Sequence, residues 1–133
     1  MFLLLCCQQR MALDWSCGTL AEGLRCYQNE EFFEAHEHWE TSWLACTEPE
    51  KTFLQSLIQV SAAFHHLRRE NDRGAISLLS RALLRLENYP DSFGGIDVAA
   101  LRTSIRGWLD ALRTARSAPA LPFPVIHSQS CRR

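Results

Sequence analysis

The stretch His36-Glu37-His38-Trp39-Glu40 gathers the side chains of this sequence best suited to chemistry. On a helix His36 and Glu40 stand one turn apart, a spacing that serves a pair of metal ligands, an acid and base, or a hydrogen-bonded couple. At about 100° per residue they project between Phe33 and Trp43, in the middle of the face expected to be buried. An ionised carboxylate there is costly unless it meets a cation, a donor network, a metal or water, and His36 is the nearest partner. Glu37 falls at the edge of the same face and would act from the rim.

A second polar strip lies downstream. Gln55, Gln59 and His66 project within a narrow wedge beside Ala62, while His65 points with Leu54 and Ile58. If the two helices pack antiparallel, as their short connection suggests, Gln59 or a nearby histidine reaches the His36/Glu40 pair. Three readings compete. One is a buried hydrogen-bond network that fixes helix register. Another is a small-molecule or peptide pocket lined by Phe33, Trp39, Trp43 and the polar strip. The third is a metal site in which His36 and Glu40 take a third ligand from His65 or His66, with Glu37 as the general base of a hydrolase.

The stretch lacks the second histidine of a zinc-protease motif, and the paired Glu-x-x-His motifs of di-iron bundles are missing. The neutral amide of Gln59 suits a network better than a zinc shell, so neither metal nor cofactor is expected. Nucleophilic catalysis has little support, because no Ser or Cys stands in a strained Gly-flanked turn. Gly94-Gly95 before a helix start suits an anion, but Asp97 would repel it.

The elements that must position these residues read as helices. Residues 19–29 repeat Leu20, Leu24 and Tyr27 at helical spacing, and residues 30–45 put Phe32, Phe33, Ala35, Trp39, Trp43 and Leu44 on a broad apolar face. Thr47-Glu-Pro-Glu50 looks like a capping box that opens a long central helix to about Glu70. Its stripe is Phe53, Leu57, Val60, Phe64 and Leu67. Asp72 is the expected cap of a fourth helix carrying Ala75, Leu79, Ala82 and Leu86. Tyr89 to Gly95 reads as a loop, and Asp97 caps a last helix to about Arg116 with Arg102, Arg106 and Arg113 pointing away from the core. Prolines stop it there, and the tail is expected to lie extended with Phe123 and Ile126 buried. The expected architecture is therefore an all-α, single-domain bundle of about five helices. Residues 1–16 are an N-terminal extension, 17–116 the helical domain and 117–133 the tail.

The 133 residues suit one domain, and 14 Lys and Arg against 15 Asp and Glu leave a charge of −1. No strong field recruits nucleic acid or a membrane surface, and no segment is long and apolar enough for a membrane span. Cys6, Cys7, Cys17, Cys26, Cys46 and Cys131 form no CxxC or zinc pattern. The apolar start at Met1 has no basic residue ahead of it and is too short for an export signal, so reduced thiols and a cytoplasmic location are expected. Met11 is an alternative start.

Asn29-Glu-Glu-Phe-Phe-Glu-Ala-His-Glu-His-Trp-Glu-Thr-Ser-Trp43, Phe53-Leu-Gln-Ser-Leu-Ile-Gln59 through His65-His66, Gly74-Ala75 and Gly95-Ile-Asp97 together resemble the domain-of-unknown-function family 309 over about residues 17–115. The sequence has Ser56 where the family pattern has Gly. The resemblance implies a compact all-helical fold and an intracellular protein, with no activity attached. Matched residue by residue, it marks His36, Glu37, Glu40, Trp43, Gln55, Gln59 and His66. The leading expectation is a non-catalytic binding or interaction module for a small molecule or protein, with homo-oligomerisation open. The alternative is a metal-dependent hydrolase using His36 and Glu40.

Overall fold

The computed structural model describes residues 13–114 and 120–128. The expectations for Met1 or Met11 as start, for residues 1–10, and for Cys6, Cys7 and Cys131 lie outside the described residues. Five helices run in order: α1 (Gly18–Gln28), α2 (Phe32–Leu44), α3 (Glu50–Arg68), α4 (Asp72–Leu86) and α5 (Val98–Thr114). A small hairpin, β1 (Ser92–Phe93) and β2 (Ile96–Asp97), joins the last two. The all-α, single-domain reading thus holds for the described residues.

Each helix packs antiparallel on its neighbour, and named contacts fix the direction. Glu30 pairs with Arg68 at one end of α2 and α3, while Lys51 lies over the Trp43 ring at the other. Tyr89, beyond the end of α4, donates to the Pro49 carbonyl before α3. Arg113 of α5 reaches Ser80 of α4, and Arg106 reaches Glu87.

α3 is the central element, with Phe53, Leu54, Leu57, Val60, Ala63 and Phe64 fully buried. Its serine at position 56 is buried too, and the hydroxyl satisfies itself by donating to the Phe53 carbonyl at 2.6 Å. Trp39 of α2 is enclosed between Trp15 and Tyr27, and its indole N–H donates to the Leu20 carbonyl. Gly23 makes that approach possible, because a β-carbon there would overlap the Trp39 indole. Trp15 is itself buried and donates to the Gly94 carbonyl at 2.8 Å, so the chain just ahead of α1 contributes to the core.

Several local expectations are corrected. Thr47 and Glu50 do not form a capping box; α3 begins at Glu50, and the Glu48 carboxylate accepts from the Thr52 N–H and hydroxyl. Asn71 caps α4 through the Gly74 N–H, and Asp72 is the first helical residue. The segment Tyr89 to Gly95 contains β1 of a hairpin, whose Gly94-Gly95 turn has φ of 59° and 80°, values that favour glycine. Arg102 folds inward, its side chain only 14% exposed, to bond the Leu86 and Tyr89 carbonyls and pair with Asp91. Asp97 does cap the turn that opens α5, accepting from the Ala100 N–H. The extended tail is seen at residues 120–128, with Ile126 buried and Phe123 half-buried.

Candidate functional site

The polar residues on α2 and α3 surround a cleft of about 280 Å³ lined by Phe33, His36, Ala62, His65 and His66. Phe33, 43% exposed, is the open aromatic wall. Its ring is stacked with His36 at 6.0 Å and tilted against His65 at 5.1 Å. The antiparallel packing explains the meeting, because the first turn of α2 faces the last turns of α3.

The expected buried couple is corrected. His36 Nε2 and Glu40 Oε2 are 3.6 Å apart, but the Glu40 side chain is 58% exposed. The residues α2 buries are Phe32, Ala35 and Trp39. At about 100° per residue, Glu40 stands about a right angle from the centre of that face. Phe33 had widened the apparent face, and it lies outside the core. The carboxylate therefore keeps its hydration, and the cost of burying it never arises.

His36 is the member that is partly enclosed: its Nδ1 is buried with no hydrogen-bond partner among the described residues. A ring carrying its proton on Nε2, toward Glu40, leaves only a lone pair enclosed. His66 Nδ1 stands 3.1 Å from the Asn71 amide nitrogen, which ties the cleft to the cap of α4. His65 does not follow Leu54 and Ile58 into the core; it is half-buried against Phe33 in the first turn of α2. Burial pulls the His65 pKa below its ordinary value, and the charges of Arg69, His66 and His36 push the same way.

The remaining predicted residues are elsewhere. Gln59 is buried but faces α4, where its Oε1 accepts from Arg85 Nε at 3.3 Å, so it does not bridge His36 and Glu40. Gln55, half-buried, lies outside the cleft lining, as does the exposed Glu37. Trp39 lies in the core rather than in a pocket. Trp43, at the far end of α2, is covered by Lys51 at 4.2 Å from its ring centroid, with its indole N–H enclosed and without a hydrogen-bond partner among the described residues. Among the described residues no three His, Cys, Asp or Glu side chains are grouped to hold a metal ion. His65 and His66 thus do not complete a ligand set with His36 and Glu40. What the cleft offers chemically is stacking surface and imidazole nitrogens.

The model of a family described as a domain of unknown function, DUF309, matches residues 20–78, from α1 to the middle of α4. Over those residues the chain is similar to the DUF309 family. A relative from Aquifex aeolicus (strain VF5), named Uncharacterized protein, is 31% identical over 84 residues, which make up 62% of this chain and 25% of that protein. The chain spans about a quarter of that relative's length. The DUF309 segment contains every residue of the cleft, while the hairpin, α5 and the tail lie beyond it. The pocket reading of the sequence named Phe33 as lining and the metal reading offered His65, but the residues marked as the binding set included neither, and Ala62 entered only as a neighbour of the polar strip. The signal available was the adjacency of Phe33 to four nearby glutamates, which marks a solvent-facing position.

Proposed function

We propose that the chain is a non-catalytic binding module whose ligand, a small molecule or a single side chain of a partner, enters the cleft between α2 and α3. The observation that carries this reading is the exposed Phe33 ring framed by His36, His65 and His66 around a cavity of about 280 Å³. A concave apolar wall with a few polar groups at its edge is the usual form of a small-ligand site. The ligand fitted by this lining is planar, lying against Phe33 and His65, with one group that bonds an imidazole nitrogen.

Other features support the surrounding picture. Arg25, Arg68, Arg85, Arg102, Arg106 and Arg113 are engaged with protein oxygens, which favours a partner other than nucleic acid. Cys17, Cys26 and Cys46 are free thiols, in keeping with a reducing, cytoplasmic setting. No helix among the described residues is long and apolar enough to cross a membrane.

A fragment screen followed by nitrogen-detected histidine NMR tests the reading. Planar fragments are expected to shift the His36, His65 and His66 ring resonances, and Phe33→Ala is expected to abolish those shifts while the chain stays folded. Shifts that survive Phe33→Ala, or none across the screen, would overturn it. Metal titration in the same spectra checks the alternative, which requires stoichiometric binding at His36.

A further inference from the structure

The turn between α3 and α4 fixes the hydrogen-bonding sense of one wall of the histidine cleft. Glu70, at φ 61°, reverses the chain at the end of α3: its N–H donates to the Leu67 carbonyl at 3.0 Å, and the Asn71 N–H donates to the His66 carbonyl at 2.9 Å. These two bonds are those of a Schellman ending, which brings the residue two beyond the helix cap back over the last turn. The Asn71 side chain is thereby set between the His66 ring and the start of α4. Gly74 gives it room, since a β-carbon there would stand 2.6 Å from Asn71 Nδ2.

The capping bond decides which way the Asn71 amide lies. The Gly74 N–H donates to Asn71 Oδ1 at 3.0 Å, so the amide NH2 is the group that stands 3.1 Å from His66 Nδ1. An amide turned the other way would set two donors against each other at the cap. Nδ1 must then accept, and a neutral His66 carries its proton on Nε2. Of the other imidazoles of the cleft, His65 presents its ring to Phe33, and His36 has Nδ1 enclosed and Nε2 toward Glu40. His66 borders the cleft and its Nε2 has no hydrogen-bond partner among the described residues, so it is the nitrogen left for a ligand.

We infer that Asn71 is a positioning residue that makes His66 a hydrogen-bond donor, so that the cleft selects planar ligands bearing an acceptor, a ring nitrogen or a carbonyl oxygen, over those bearing an N–H. This rests on the reading of the cleft as a ligand site and names the group that bonds the imidazole. A ring whose polar edge is an N–H would meet the Nε2–H donor to donor and lose the bond that water gives each of them. The selection comes from a residue outside the cleft lining and passes through the tautomer of His66.

Asn71→Asp reverses the sense without removing the cap. One carboxylate oxygen still accepts from the Gly74 N–H, since aspartate caps about as well as asparagine. The other turns an acceptor toward His66 Nδ1, which must then carry the proton. The full chain and this variant are compared by nitrogen-detected histidine NMR at about pH 8, where an ordinary imidazole is neutral. Both are titrated with matched acceptor-only and donor-only rings, isoquinoline and indole first among them. His66 is expected as the Nε2–H tautomer in the parent and the Nδ1–H tautomer in the variant. Isoquinoline should bind the parent about tenfold more tightly than indole, the worth of one hydrogen bond, and the order should reverse in the variant. An Nδ1–H tautomer in the parent, or a tautomer that Asn71→Asp leaves unchanged, would overturn the inference whatever binds. The expected tautomers with no preference between the two classes of ring would also sink it, while leaving the cleft a ligand site. Silence from every ring of both classes would remove the selection and the binding reading together.

Discussion

Glu40 stands one turn from His36 and remains in water, and that position sets what its loss should do. The pair at 3.6 Å is a surface contact, so Glu40→Ala is expected to change stability by only about 0–1 kcal/mol, measured by urea unfolding. Trp39, enclosed on all sides, is the opposite case: Trp39→Ala should cost about 3–5 kcal/mol in the same assay. His65 supplies a pH dependence. Its folded pKa lies below the ordinary 6.5, so the stability it contributes is fully present above that pH and lost as pH falls through the folded value. The thermal midpoint should therefore drop between neutral pH and pH 5, and His65→Gln should flatten part of that drop. At this scale the residue types and the one-turn spacing were legible. Which of them faced water was not, because Phe33 reads as core in any apolar count.

At the scale of the element, helix starts depend on which of two adjacent polar residues turns its oxygen back on the first turn. Asn71 and Asp72 are equivalent by type, and the chain settles on Asn71, whose Oδ1 accepts from the Gly74 N–H at 3.0 Å. Asn71→Ala should then cost about 1 kcal/mol by denaturant titration, with Asp72→Ala costing less. Helix existence and extent were legible from periodicity, since one repeat runs through each apolar stripe and turn residues interrupt it. The hairpin was not. Two-residue strands carry too little alternation to register, and only the Gly94-Gly95 pair, both at positive φ, hinted at a tight turn.

For the whole molecule, the tail closes the aromatic cluster that α1, α2, α3 and α5 each leave incomplete. Phe123→Ala should lower stability by about 2–3 kcal/mol in calorimetry, less than a fully enclosed phenylalanine because the ring is half-buried. The sequence by itself determined the helical class, the number of helices, the order of their apolar stripes and the extended course of the proline tail. Those follow from local rules: a 3.6-residue repeat, residues that break it, and a ring that fixes φ. Tertiary structure alone decided that His36, His65 and His66 border one cleft while Gln59 turns away to Arg85. It also decided that Trp108, Tyr27 and Gln28 meet the tail at alternate carbonyls. A helix's own periodicity gives the angle of each side chain about its axis, but not which neighbour covers that angle or where the cover ends.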